Sequence, residues 1–203
     1  SRMIKFLKSK FFKVIAGNVA TLEGAKFLAN SGADVIKVGI GPGSLCTTRL
    51  VTGHGVPQLS AIMECSKIKE DFSNIKIIAD GGIRSSGDIV KALAAGADAV
   101  MIGRLFAGCK ETPGEVIKGK KVYRGMASFS AQMDFHGEVH GTPEGEAIFV
   151  DAKGSVKDIV KELSDGIKSG LSYSGATNIK DLRKKAHFIK VSSNTLIENG
   201  WRK

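Results

Sequence analysis

One loop of this 203-residue chain has the residue types for covalent chemistry: Gly39-Ile40-Gly41-Pro42-Gly43-Ser44-Leu45-Cys46-Thr47-Thr48-Arg49. Its glycines let the backbone take positive φ and come close to a ligand. Successive amides in such a loop can form an anion-binding nest, and Ser44 adds a hydroxyl. Cys46 then stands where its thiolate, the competent nucleophile, can attack a ligand held by that nest. The residues alone leave a second reading open, a turn containing a small apolar cysteine, since cysteine is commonly a buried filler. Cys65 falls in an apolar helical stretch and reads as core, whereas Cys109, near a loop, stays open between the two.

Further along, an apolar run ends in Asp80-Gly81-Gly82. An ionised carboxylate only accepts hydrogen bonds, which suits a vicinal diol; the tripeptide also reads simply as a strand-ending turn. Glu144, in Pro143-Glu144-Gly145, reads on pattern alone as an exposed acidic turn residue. His136 and His140 have the type of a general base near neutral pH, or else are solvent-facing.

The elements that must position these groups repeat. Four apolar runs, Lys13–Gly17, Asp34–Gly39, Ile75–Ala79 and Ala99–Gly103, predict near-continuously buried strands separated by helices, which is a parallel sheet. Thr21 caps one predicted helix, which stops at Gly32; Ser86 or Gly87 precedes another, which stops at Gly96. The phrases Asn30-Ser31-Gly32-Ala33-Asp34 and Ala94-Ala95-Gly96-Ala97-Asp98 echo each other as helix stop, turn and next strand. Such a repeat builds a (β/α)8 TIM barrel. Four strands are half of one, so the other half is expected from another segment or chain. A flavodoxin-like open sheet is the alternative. Insertions at 39–57 and 113–153 follow the second and fourth strands, on the face where barrels place their chemistry. Ser1–Phe6 and Lys157–Ser169 read as amphipathic helices, and His187–Val191 as one more strand-like run.

Composition narrows the class. No apolar run approaches the roughly 18 residues of a membrane span, and the N-terminal residues lack the features of a signal peptide. Three scattered cysteines build neither a disulfide framework nor a zinc site, which leaves a reducing, cytoplasmic setting as the default. With 30 Lys and Arg against 20 Asp and Glu, the net charge is +10. The cations are spread over helical stretches with two Tyr and one Trp in the whole chain, so a nucleic-acid surface is not expected. Attraction for phosphorylated small molecules is.

Several motifs, in order, resemble one family. Gly41–Arg49 with Val56-Pro57-Gln58 is similar to the active-site loop of the IMP dehydrogenase and GMP reductase family. Asp80-Gly81-Gly82-Ile83-Arg84 followed by Gly87-Asp88 resembles the next strand end, and Tyr123–Ser128 and Pro143-Glu144-Gly145 the two ends of a mobile flap. The similarity runs from about Val14 to Val191. It implies an NAD(P)-dependent oxidoreductase barrel, of which residues 1–203 supply about strands 5–8, with active-site loop 39–57 and flap 113–153. By that resemblance Cys46 attacks C2 of a purine nucleoside monophosphate, and Thr48 and Glu144 form a proton-transfer pair. Ser44, Gly82, Gly103 and Tyr123 hold the 5′-phosphate, Asp80 the ribose, and backbone atoms around Gly125, Met126 and Ala127 the base. Carbonyls of Gly41, Gly43 and Cys46 are positions for potassium, and a homotetramer is expected. Arg104 departs from the family's usual small residue there; it either adds a phosphate contact or points away.

The resemblance also bears on the reaction. The family's dehydrogenases carry an Arg-Tyr pair in the flap to activate water. Phe129–Thr142 contains neither residue type and is shorter. Leu171–Thr177 is more similar to a reductase, and no His-rich potassium-associated tail follows Val191. The expectation is GMP reductase using NADPH, with NAD-dependent IMP dehydrogenase as the alternative, since the first loop suits either.

Overall fold

The structure, a computed structural model, describes residues 1–192 and 195. It is an α/β fold. After helix α1 (Arg2–Ser9), the chain runs β1 (Ile15–Val19), α2 (Leu22–Asn30), β2 (Val35–Val38), α3 (Thr48–Thr52), α4 (Gln58–Ser66), α5 (Ile68–Asp71), β3 (Lys76–Asp80), α6 (Ser86–Ala94) and β4 (Ala99–Met101). The remainder is β5 (Lys120–Arg124), α7 (Phe129–His136), β6 (Ala147–Asp151), α8 (Val156–Tyr173) and α9 (Ile179–Lys185). Strands β1 to β4 pair in chain order, all parallel. A flavodoxin-like sheet reverses its winding at a switch point, and these four strands show no such reversal.

Local chemistry explains the boundaries. The Thr21 hydroxyl accepts from Gly24 N at 3.1 Å to start α2, and Gly32 at φ +102° ends the turn after it. Helix α6 is capped by Ser85, not by Ser86 or Gly87. The Ser85 backbone is extended and its Oγ accepts from Asp88 N at 3.3 Å, so the next two residues already lie in the first turn. The echoed Gly-Ala-Asp phrases have one structural meaning. Asp34 Oδ2 accepts from Val14 N, and Asp98 Oδ2 from Ile77 N, each at 2.8 Å, so each carboxylate holds the start of the preceding strand. Because Asp34 takes the Val14 amide, β1 begins at Ile15, two residues later than the hydrophobic run suggests. Lys8 sits 2.8 Å from Asp34 and, with the Val14 amide, holds its carboxyl down at about 2.

Ile36, Val38, Ile77 and Ala79 are fully buried under Ala25, Ala61, Ile62, Cys65, Ile89 and Leu93 of helices α2, α4 and α6. The opposite sheet face carries Ile15, Lys37, Ile78, Asp80 and Met101 and is more open. Helix α8, longer than expected, packs on α6. The expected strand-like run His187–Val191 forms no strand. Phe188 packs instead against the helical layer beside α9. The segment 113–153 is a small unit of its own, in which β5 and β6 pair antiparallel around α7.

Among the described residues no helix is long and apolar enough to cross a membrane.

Candidate active site

The C-terminal ends of the parallel strands meet the 120–151 unit at a cleft with two lobes. The smaller, about 260 Å³, is lined by Cys46, Thr48, Glu144, Asp80, Tyr123 and Met126 among others. The larger, about 840 Å³, adds Gly82, Gly103, Arg104 and Lys37. Asn18, Ser44, Gly43, Asp80, Tyr123 and Gly125 line both. Gly41 and Ala127 line the smaller lobe. Cys46, Thr48, Asp80 and Glu144 are thus brought to one place, although Cys46 and Glu144 are far apart in the chain.

At its centre is a directed hydrogen-bond chain. The Cys46 thiol donates to Thr48 Oγ1 at 3.1 Å, and that hydroxyl donates to Glu144 Oε2 at 2.6 Å. The loop is built for this. The Cys46 amide turns back to the Gly43 carbonyl at 3.1 Å, and buried Leu45 anchors the turn. The one-turn helix α3 begins at Thr48 and ends at Gly53, φ +71°. Backbone pairing brings the carboxylate over it: Thr47 N donates to Glu144 O at 3.1 Å, Glu146 N to Leu45 O at 2.9 Å, and Glu144 N to Ala127 O at 3.0 Å. Thus the stretch 144–146 is stitched to the cysteine loop on one side and to Ala127 on the other.

Cys65 shows the contrast. It is fully buried, and burial, with Glu64 and Glu23 nearby, pushes its thiol up to about 11. It is core, as expected, and Cys109 is buried too. Cys46 is partly accessible and lines the cleft.

Asp80 ends β3 with its carboxylate in the cleft. Its Oδ2 accepts from Lys37 Nζ at 2.8 Å and Asn18 Nδ2 at 3.0 Å. Both bonds fall on Oδ2. Sequence reasoning missed Asn18 and Lys37. For Lys37 the signal was period-two alternation, which puts it and Asp80 on the sheet face away from the helices; at Asn18 alternation fails, because the β1–β2 register shifts between Gly17 and Val19.

Gly81 and Gly82, at φ +95° and +80°, carry the chain past the cysteine loop, and a Cβ on Gly81 would come within 2.9 Å of Pro42. A Cβ on Gly103 would lie 2.6 Å from the Tyr123 hydroxyl, which therefore stands over that backbone. Lys37, Arg84, Arg104 and Arg124 line the larger lobe; Lys37 is paired with Asp80 and Arg124 with Asp134, while Arg84 and Arg104 have no ion pair among the described residues, a balance that favours phosphate. Arg104 is among the residues that line this lobe. His136 and His140 are exposed, face each other at 5.8 Å, and line neither lobe. Among the described residues no group of three His, Cys, Asp or Glu side chains could hold a metal ion.

Residues 1–201 match a family model described as IMP dehydrogenase / GMP reductase domain. The chain is 53% identical over 191 residues to inosine-5′-monophosphate dehydrogenase of Aquifex aeolicus, covering 88% of this chain and 39% of that protein. It is 48% identical over 195 residues to the Nitrosopumilus maritimus enzyme of the same name, covering 89% and 41%. Among solved structures, it resembles a GMP reductase variant from Trypanosoma brucei in complex with guanosine 5′-monophosphate. The TM-score is 0.92 at 42% identity, over 100% of this chain and 44% of that one. The chain therefore spans about two fifths of the length of the relatives it matches.

Proposed function

The chain belongs to the IMP dehydrogenase / GMP reductase family, and on that premise we propose that it is the C-terminal half of a (β/α)8-barrel catalytic domain that acts as a GMP reductase. The observation that carries the reading is the Cys46–Thr48–Glu144 chain, whose polarity runs from thiol to carboxylate. A thiol proton can leave along it through Thr48 to Glu144 as sulfur adds to C2 of the purine. The same proton, returned through Thr48, protonates the amine as its C–N bond breaks, and ammonia departs from a purine bound covalently to Cys46. A bound reduced nicotinamide dinucleotide supplies the hydride that takes the amine's place at C2. Cys46 then leaves as thiolate and IMP is released.

The other roles follow the cleft. Ser44, Gly82, Gly103 and Tyr123, with Arg104 beside them, hold the 5′-phosphate. Asp80 accepts from the ribose hydroxyls, and Gly125, Met126 and Ala127 border the base. Neutral carbonyls of Gly41, Gly43 and Cys46 are donors that suit a monovalent cation such as potassium. The Gly43 oxygen already accepts from the Cys46 amide and has one lone pair to give. We assign the flap to 113–153, its closure to binding of substrate, and the assembled enzyme to a homotetramer.

The reductase reading rests on the segment 129–142, which has no Arg and no Tyr to activate water. A second reading, IMP dehydrogenase, is favoured by the names of the curated relatives at 46 to 53% identity. The two separate in one assay. The intact protein is given GMP with NADPH, and separately IMP with NAD, while the reduced cofactor is followed by absorbance. The expected result is GMP-dependent oxidation of NADPH with IMP and ammonia as products. Sustained XMP formation without that oxidation overturns the reductase reading in favour of the dehydrogenase.

A further inference from the structure

We propose that Gln58 is a positioning residue that sets the spacing between the nucleophile loop and the ribose-binding strand end; this rests on the roles given above to Cys46 and Asp80. The β2–β3 ladder ends at the pair Val38 and Ala79. Beyond it the two chains carry different chemistry, Gly39 leading into the Cys46 loop and Asp80 into the cleft. Gln58 closes this gap with a side-chain rung. Its Nε2 donates to Val38 O at 2.9 Å and to Asp80 O at 3.2 Å. Gly39 makes room for it. A Cβ there would lie 2.1 Å from Asp80 O and 3.1 Å from Gln58 Nε2, so the two backbones pass as closely as a residue without a side chain permits.

Gln58 is also where the loop ends. It is the first residue of α4, whose Ala61, Ile62 and Cys65 are buried in the core, so the rung is carried by an anchored element. The loop that leaves β2 at Gly39 is thereby fastened, at its far end, to its own start. The amide is kept despite a cost: its Oε1 is buried without a partner among the described residues, and an unpaired buried acceptor is unfavourable. It is the donor half that the site needs. Asn18 makes a second bridge, from Gly39 O at 2.8 Å to the Asp80 carboxylate, but that one holds a side chain. Gln58 holds the two main chains.

A split in kinetics follows. In Gln58→Ala the Asp80 carboxylate keeps Lys37 and Asn18, so nucleotide is still held and KM stays within about threefold. The alignment of sulfur with C2 is lost, and kcat falls roughly 10- to 100-fold, the scale of a displacement near 1 Å. In Gln58→Glu, equal in size, an ionised carboxylate donates nothing, whereas a protonated one donates a single bond. Its kcat relative to wild type should rise as pH is lowered toward about 5. An unchanged kcat, a loss carried by KM alone, or a pH-independent ratio overturns the proposal. Hydrogen exchange of the nucleotide-free protein adds a test independent of turnover. Amides at 39–41 and 80–82 should exchange faster together in either variant, and absence of that joint acceleration also overturns it. If the wild type turns over neither nucleotide, the functional reading fails and the exchange result alone judges the rung.

Discussion

At the scale of residues, the thiol, the hydroxyl and the carboxylate act as one unit, because each donates to the next. Groups that act together give non-additive losses when removed. Cys46→Ala should abolish turnover of either nucleotide while leaving binding within a few-fold, because the phosphate and ribose contacts proposed above lie elsewhere in the cleft. Thr48→Val and Glu144→Gln should each slow the deamination step by roughly 10²- to 10⁴-fold, the usual worth of positioned proton transfer. The double variant should lose little more than either single one. Hydride transfer, followed separately by rapid mixing, should be far less affected, since only the leaving amine needs a proton. Losses that multiply in the double variant would show that Thr48 and Glu144 work independently.

At the scale of elements, two contacts decide how the helices sit on the sheet. Helix α8 meets α6 through glycines one turn apart. A Cβ on Gly166 would lie 2.4 Å from Ser86 Cβ, and one on Gly170 2.6 Å from Val90 Cγ2. Alanine gains about 1 kcal/mol of helix propensity over glycine, but overpacking costs roughly 1–3 kcal/mol. Gly166→Ala should therefore destabilise the fold on balance, and Ser86→Gly in the same chain should recover the loss. Denaturant unfolding of the two single variants and the double checks this; a stabilising Gly166→Ala would refute the close approach. Helix α1 is tied to the sheet by Lys8 and Asp34. The folded carboxyl lies at about 2, below the roughly 3.9 of an unfolded aspartate, so ionised Asp34 stabilises the fold above that unfolded value. That contribution should fade as pH falls from about 4 to about 2. Melting temperatures across this range should fall less steeply for Asp34→Asn than for wild type.

At the scale of the whole molecule, a net charge of +10 surrounds a lobe lined by four cations and one carboxylate. Exposed charges are screened beyond the Debye length, which shrinks from about 30 Å at 0.01 M salt to about 8 Å at 0.15 M. KM for the nucleotide should rise several-fold over that range while kcat stays within about twofold, because salt weakens capture over long range and leaves the short hydrogen bonds of the Cys46–Thr48–Glu144 chain alone. A KM indifferent to salt would mean that the phosphate is bound by backbone amides with little help from the wider field. The open sheet face carrying Ile15, Ile78 and Met101 is the surface that the proposed barrel would enclose.

Features that depend only on neighbouring residues were legible before any tertiary contact was known. Thr21 and Gly32 bound a helix because capping and positive φ are local properties of the chain. The repeated Gly-Ala-Asp phrases marked the βα period, and the glycine-rich loop marked Cys46, for the same reason. The burial of Cys109, the helix α7 between β5 and β6, and the failure of His187–Val191 to form a strand were not legible, since each depends on what the rest of the chain offers to pack against. Family resemblance suggested that Thr48 and Glu144 pair, but the 2.6 Å contact between them belongs to the tertiary structure, which closes 96 residues of chain to make it. So do the bridges of Asn18, Lys37 and Gln58 to Asp80, drawn from separate segments. Periodicity states which face a side chain is on; only packing and backbone pairing decide which distant group it meets there.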